Sequence, residues 1–221
     1  MTKIYPSFAS ANAASAAAEK LKSSGGSELG DSAVVLTVWT KSLLFNCNGF
    51  TVYDGKGNLV FRVDNYLAGN KGEIVLMDAS GKPLLTIRRK RLSLGDNWLV
   101  FDGETASNPR FSVRKHVNLL NARCLAHVSS GGGSGSGGSL RSSKNSSVLY
   151  EIEGSYSQRS CAVYDQKRRR VVEIRRKEAA VCGVALGGDV FRLLVEPQFD
   201  TAVAMALVII LDQMFGSSSR R

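Results

Sequence analysis

A chain of 221 residues with 43% hydrophobic content can build one domain with a real core, or at most two small ones, which excludes a disordered polymer. Its 29 Lys+Arg against 19 Asp+Glu give a net charge of +10, which favours anionic partners such as lipid or nucleic acid and says nothing of fold. Four cysteines, Cys47, Cys124, Cys161 and Cys182, lie far apart with no C-x-x-C pair, so the spacing excludes a disulfide frame or a zinc module and leaves buried free thiols in a reducing compartment.

Residues 1–31 are rich in Ala, Ser and Gly with few bulky apolar groups, and read as a flexible N-terminal tail. The tail has neither the apolar run of a secretion signal nor the arginines of an organellar transit peptide. Met1-Thr2 is incompatible with N-myristoylation, and the terminal Ser-Arg-Arg is no prenylation box. The expected location is intracellular, in cytoplasm or nucleus with peripheral contact at the plasma membrane, and not secreted.

From Ser32 the chain reads as short strands. They are expected at 33–39, 49–53, 59–63, 72–78, 83–91, 97–101, 111–117 and 122–128. Asp54-Gly55-Lys56-Gly57-Asn58 and Ala79-Ser80-Gly81-Lys82 read as hairpin turns, with Gly where a positive φ is wanted. In 59–63, Leu59, Phe61 and Val63 alternate against Val60 and Arg62; in 111–117, Phe111, Val113 and Val117 alternate against Ser112, Arg114 and His116. Residues 129–147 are Gly/Ser-rich with Arg141 and Lys144, and read as a flexible insertion. It lacks the Gly-Lys-Ser/Thr of a phosphate-binding loop. Strands resume at 148–154, 161–164, 170–177 and 189–195. Asp54, Asp78 and Asp165 each open a turn followed by apolar residues at matching offsets, so one hairpin unit is repeated before and after the insertion.

Residues 201–215 (TAVAMALVIILDQMF) then form a helix with Asp200 as N-cap and Gly216 as stop. From Ala202 to Leu211 it is apolar on every side, so it must be enclosed on every side. A bilayer needs about 20 such residues, and this run is too short to span one. About twelve strands and one all-apolar helix have a compact solution in a closed antiparallel β-barrel with the helix through its centre. A helix of roughly 15 residues at ~1.5 Å per residue matches the length of six- or seven-residue strands. An open sheet covered by the helix is the alternative, and would leave half the helix wet. Residues 32–216 are therefore expected to be one barrel domain, with 217–221 a C-terminal tail.

The blocks at 38–45 (VWTKSLLF), 61–66 (FRVDNY), 75–78 (VLMD), 154–161 (GSYSQRSC), 189–193 (DVFRL) and 211–215 (LDQMF) resemble the plant LURP-one-related proteins over about residues 32–216. The resemblance implies a fold similar to the tubby C-terminal domain and the phospholipid scramblases: a twelve-stranded barrel around a central hydrophobic helix. It implies no catalytic activity, and suggests a relation to membrane-tethered transcription factors and to phosphoinositide-binding tubby domains. No motif matches the tubby lipid-binding residues, so none are carried over. The cysteine-rich cluster and proline-rich region of scramblases are absent from the sequence, which argues against constitutive anchoring and scrambling.

Two basic clusters are the candidate site for an anionic headgroup: Arg88, Arg89, Lys90 and Arg91; and Lys167, Arg168, Arg169 and Arg170 with Arg175, Arg176 and Lys177. By alternation Arg88 and Lys90 share an outward face with Thr86, opposite Leu85 and Ile87, and Arg175 shares one with Val171 and Glu173. The competing reading is solvated strand faces that discourage edge aggregation. The clusters act as one patch only if the barrel brings them together. His116 and His127, eleven residues apart, show no metal or triad pattern and read as surface or structural residues. Trp39 and Trp98 read as core or rim packing. Asp212, disfavoured near a helix C-terminus, is expected to find a cationic or hydrogen-bonding partner at the barrel mouth.

The sequence thus favours a non-enzymatic, monomeric module without cofactor or metal that binds a phosphoinositide, an anionic membrane surface or a protein partner. The alternative is a nucleic-acid-binding regulator. Against it, no helix-turn-helix or zinc finger is visible and aromatics are not interleaved with the basic runs.

Overall fold

The computed structural model describes residues 32–44, 48–65, 73–90, 93, 95–104, 107–117, 123–131, 147–177 and 188–216. Twelve strands precede one helix: β1 (Val34–Trp39), β2 (Asn48–Tyr53), β3 (Leu59–Asn65), β4 (Glu73–Asp78), β5 (Pro83–Arg89), β6 (Asn97–Asp102), β7 (Phe111–Lys115), β8 (Cys124–Ser130), β9 (Val148–Ser155), β10 (Ser160–Asp165), β11 (Arg170–Arg176), β12 (Val190–Val195) and α1 (Thr201–Phe215). Each strand pairs antiparallel with its neighbours in sequence, and β1 closes on β12 from Val34↔Val195 to Trp39↔Val190. The closed twelve-stranded barrel expected from the strand count is the observed architecture, and closure leaves no sheet edge to aggregate.

Strand alternation supplies the lining. Val38, Val52, Leu76, Ile87, Val100, Val113, Ala126, Ile152 and Leu193 point inward and are buried. Against them lies α1, whose residues from Val203 to Leu211 are all buried, none more than 9% exposed. That explains a helix with no polar face: the sheet surrounds it as lipid would. Its N-cap is Asp200, whose Oδ1 accepts from the N–H of Ala202 at 2.8 Å and of Val203 at 3.3 Å. At the other end the Gly216 N–H donates to the Asp212 carbonyl at 2.8 Å. Gly216 has φ −68°, so it is needed for space and not for a left-handed backbone: a Cβ there would lie 2.4 Å from the Asp212 oxygen.

Because neighbours are antiparallel, odd strands all run one way and even strands the other, so the barrel has two distinct ends. The chain leaves β12 and enters α1 at the end where odd strands begin, which is the entry end. There Arg110 Nη2 reaches Asp200 at 3.2 Å. The helix finishes at the exit end, where Lys115 Nζ donates to the Met214 carbonyl at 3.4 Å.

The repeated unit in the sequence is one turn used three times at the entry end. Asp54 Oδ1 accepts from the N–H of Lys56 and Asn58, Asp78 Oδ1 from Ser80 and Lys82, and Asp165 Oδ1 from Lys167 and Arg169. The residue three after each Asp has positive φ: Gly57 at 86°, Gly81 at 92° and Arg168 at 59°. A register shift follows in each hairpin, the extra residue of a bulge.

Some expectations are corrected. Val117 does not continue the inward phase of Phe111 and Val113: β7 stops at Lys115 and Val117 is 84% exposed. The insertion does not begin at Ser129, because Ser129 and Ser130 pair with Ser112 and Phe111 in the ladder. Gly131 still packs against β7, where a Cβ would fall 1.8 Å from the Pro109 carbonyl oxygen. β5 ends at Arg89 and not at Arg91. The expected tails at 1–31 and 217–221, Arg91, and most of the expected insertion lie outside the described residues.

Candidate functional site

The structure separates the two basic clusters and sorts them by end. β5 and β11 are six strands apart in the ring, so Arg88–Lys90 and Arg175–Lys177 sit on opposite walls. Both are at the C-terminal ends of odd strands and therefore share the exit end. Lys167–Arg169 lie in the β10–β11 turn and Arg170 opens β11, all at the entry end. The clusters do not form one compact patch.

Many of these cations already hold carboxylates. Arg168 is bound by Glu151 at 2.8 Å and Glu153 at 2.9 Å, Arg169 by Asp165 at 2.8 Å, and Arg170 by Glu173 at 2.9 Å. Burial of the Asp165 carboxyl pushes its pKa up, but the hydrogen bonds and charge of Arg169 outweigh that and hold it below the usual range. At the exit end Arg88 pairs with Glu73 at 3.0 Å, Arg89 with Asp96, and Arg175 with Glu173 at 2.6 Å. Arg88 points outward as alternation requires, yet its face is not open water. Thr86 beside it is fully buried and donates to the Gly103 carbonyl at 2.6 Å, while the Arg88 guanidinium lies 4.7 Å from the Phe101 ring.

Lys90, Arg176 and Lys177 have no carboxylate partner among the described residues. Neither do Arg114, near the end of β7, and Arg123, just before β8. All five belong to the exit end; Lys56, Lys82 and Lys167, in the entry-end turns, likewise have no carboxylate partner among the described residues. Apolar side chains are exposed there too: Trp39, 40% exposed with Lys41 Nζ 5.5 Å from its ring, along with Leu43 and Val117. Trp39 is therefore a rim residue, whereas Trp98 is buried in the core.

The same end holds a cleft of about 520 Å³ beside the helix C-terminus, lined among others by Thr40, Asn48, Tyr156, Arg159, Asp212 and Gln213. The partner expected for Asp212 is Tyr156, whose hydroxyl donates to Asp212 Oδ1 at 3.0 Å. Burial raises the Asp212 pKa, against the lowering effect of that hydrogen bond and of Arg159. Burial, with Asp212 adding to it, also raises that of Tyr156. Arg159 lies 4.3 Å from the Tyr156 ring and 4.4 Å from that of Phe191, and donates to the Gly188 carbonyl at 3.1 Å. Its buried Nη1 has no hydrogen-bond partner. Neither Tyr156 nor Arg159 stood out in the sequence as a site residue, because their partners lie far along the chain.

Residues whose spacing along the chain shows no metal pattern meet in space. His116, just past β7, and Cys124 and His127 on β8 are brought together, with one ligand atom from each within 4.8 Å of the others. Burial pushes the Cys124 thiol up to about 12, with Glu151 adding to it, and burial lowers His127. Cys124 and Cys161 are both buried and free, as expected of thiols kept reduced; Cys47 and Cys182 lie outside the described residues. No helix of the described residues is long and apolar enough to cross a membrane.

The LURP-one-related family model matches residues 34–212. The chain is 52% identical over 221 residues to Protein LURP-one-related 8 of Arabidopsis thaliana, covering 99% of this chain and 100% of that protein. It is 42% identical to Protein LURP-one-related 17 of the same plant, over 89% of this chain and 90% of that one. An X-ray structure of a protein from Arabidopsis thaliana superposes with a TM-score of 0.59 and 26% identity, covering 82% of this chain and 91% of that one.

Proposed function

The chain belongs to the LURP-one-related family, and from that premise we propose that it is a non-enzymatic intracellular module whose exit end docks on an anionic, phosphoinositide-bearing membrane surface. The observation that carries this reading is that arginines without a carboxylate partner among the described residues lie at the exit end, whereas the entry end offers only Lys56, Lys82 and Lys167, one in each Asp turn. Lys90, Arg114, Arg123, Arg176 and Lys177, without carboxylate partners among the described residues, all belong to the exit end, where Trp39 and Leu43 are exposed. Cations with amphipathic or apolar neighbours suit the boundary between headgroups and acyl chains. Phosphate oxygens are bound by arginine forks and lysine point charges.

Two charge-reversal variants of equal size test it. The exit-end triple K90E/R176E/K177E is expected to lose binding to vesicles carrying a multiply phosphorylated phosphoinositide, and the entry-end triple K56E/K82E/K167E to retain it. All six side chains lie outside the core, so both variants should keep the wild-type unfolding free energy within about 0.5 kcal/mol per substitution. Binding should weaken with salt, since exposed charges are screened beyond about 8 Å at physiological ionic strength. Equal loss in both triples reduces the effect to net charge, and no binding by the wild-type protein overturns the reading.

A further inference from the structure

We propose that His116, Cys124 and His127 form a binding site for one divalent ion of the zinc class on the outer wall of the barrel. The ladder explains how these residues meet. Arg114 pairs with His127 and Lys115 with Ala126, and the His116 N–H then donates to the Leu125 carbonyl at 2.8 Å, carrying the His116 ring onto β8. A register shift between Cys124 and Ala126 gives β8 an extra residue against β9, the device by which strands re-aim a side chain. Cys124 is buried, yet it is outside the cluster that fills the barrel and meets the His127 ring instead.

The distances fit a shared ion. His116 Nδ1 is 2.9 Å from His127 Nε2, and Cys124 Sγ is 3.7 Å from the same nitrogen. In a tetrahedral zinc site the bond lengths put two ligand nitrogens about 3.4 Å apart and a nitrogen about 3.6 Å from a thiolate sulfur. The sulfur already stands at that distance from His127, all three ligand atoms lie within 4.8 Å of one another, and the site closes by shifts of about half an ångström to one ångström.

The outer nitrogens give a second, independent observation. His116 Nε2 and His127 Nδ1 are buried without a hydrogen-bond partner. A mutual hydrogen bond between the rings leaves both of these groups unpaired, an arrangement that native proteins seldom keep without a reason. An ion on the two inner nitrogens fixes the protons on the outer ones. It thereby aims the His127 Nδ1–H at Glu151, whose Oε1 is 3.9 Å away. A carboxylate behind a ligating histidine is the usual support for such a ligand. Binding displaces the Cys124 thiol proton to solvent and changes no oxidation state. Among the described residues no fourth protein ligand completes the set, so water takes that position. One thiolate with two imidazoles is the donor set of a borderline ion.

The test uses the full chain, stripped with a chelator and titrated with Zn²⁺ against a chromophoric competitor, and with Co²⁺ as a spectroscopic probe. The expected result is one equivalent of Zn²⁺ at submicromolar Kd, a rise in Tm on binding, and a sulfur-to-cobalt charge-transfer band. C124S should remove that band and weaken Zn²⁺ at least 100-fold, with H116A weakening it similarly. E151Q should weaken it about tenfold, because Glu151 positions a ligand without being one. Far-UV spectra and metal-free melting curves establish that each variant is folded; H116A, lying beyond β7, carries the test if C124S does not fold. Absence of stoichiometric binding overturns the site, as does binding unchanged in C124S or H116A. Tight binding of Cu⁺ without Zn²⁺ overturns the ion class.

Discussion

The two ends of the barrel are built by different means from the same kind of strand. At the entry end three Asp side chains each tie down a tight turn, and a fourth, Asp200, caps the helix. Every one of these bonds joins residues within four positions of each other. At the exit end the joining contacts are long-range: Tyr156 to Asp212, Lys115 to Met214, and the Thr40 N–H to the Asp189 carbonyl at 2.8 Å. Local bonds shape the turns of the entry end, to which the pair of Arg110 with Asp200 adds a long-range tie. The exit end is held by groups that also face a cleft and that meet only once the barrel has closed.

The most severe way to break this comparison removes what both ends depend on. Leu207 lies mid-helix and is 1% exposed. Leu207→Asp places an unpaired charge inside the barrel, which costs several kcal/mol against a whole-domain stability of about 5–15 kcal/mol. The variant is expected to be insoluble or unfolded by far-UV circular dichroism. A soluble variant with wild-type melting would mean the helix is not the core.

A smaller effect sharpens the boundary of the entry end. Gly131→Ala drives a Cβ into the Pro109 carbonyl, so β7 or β8 must shift, at a cost of about 1–3 kcal/mol in thermal or urea unfolding. Replacing residues 132–146 by a short Gly/Ser bridge should leave stability almost unchanged, since loop length costs only about 0.6 kcal/mol per doubling. The same loss from both changes would show that the segment after Gly131 packs on the barrel.

The two acids at the ends of the helix should respond in opposite directions. Asp200→Ala removes the N-cap and one partner of Arg110, a loss of about 1 kcal/mol. Asp212 has a folded-state pKa raised by burial, so its contribution to stability is full below the ordinary carboxylate range and is lost as pH rises through the raised value. Asp212→Asn keeps an acceptor for Tyr156 and cannot ionise beside the negative end of the helix dipole. It should stabilise the protein at neutral pH, with the gain disappearing in acid. A destabilised D212N at neutral pH would show that the charge itself is needed, with Arg159 as its counter-ion.

The three turns allow a paired comparison whose third member should show the smallest effect. Gly57→Ala and Gly81→Ala have open space for the new methyl but strain the backbone, at about 1–2 kcal/mol each. Arg168→Gly, at the matching position of the third turn, should cost nothing or raise Tm slightly, since relief of its left-handed backbone offsets the exposed pairs with Glu151 and Glu153. A clear loss in R168G would make those ion pairs more important than the turn geometry.

This contrast also explains what could be read from the sequence. The Asp turns, the Asp200 cap and the all-apolar helix are signalled within a few residues, and the strand count then left a closed barrel as the compact solution. Strand ends were legible only to within two or three positions, because Val117 and Lys90 continue an alternation that the chain has already left. Charge runs were visible as runs, yet their pairing was not: whether Arg168 meets Glu151 depends on which strands are neighbours. The His116–Cys124–His127 group was missed for the same reason. Its spacing has no metal pattern along one strand, and the three converge only through a hairpin and a bulge.

The closure of β1 on β12 has a further meaning for how the protein is made. Translation is directional, and β12 and α1 follow the eleven other strands in the chain. Nearly every lining residue is therefore synthesised before the helix that fills the barrel and before the strand that seals it. Until then the nascent chain is an open trough of Val, Ile and Leu with two unpaired rims. Such a species is open to aggregation and to capture by chaperones. Sealing it joins residues far apart in sequence, a slow kind of folding step. The barrel can therefore close only once β12 has emerged, and the unfinished trough is the stage at which shielding matters most.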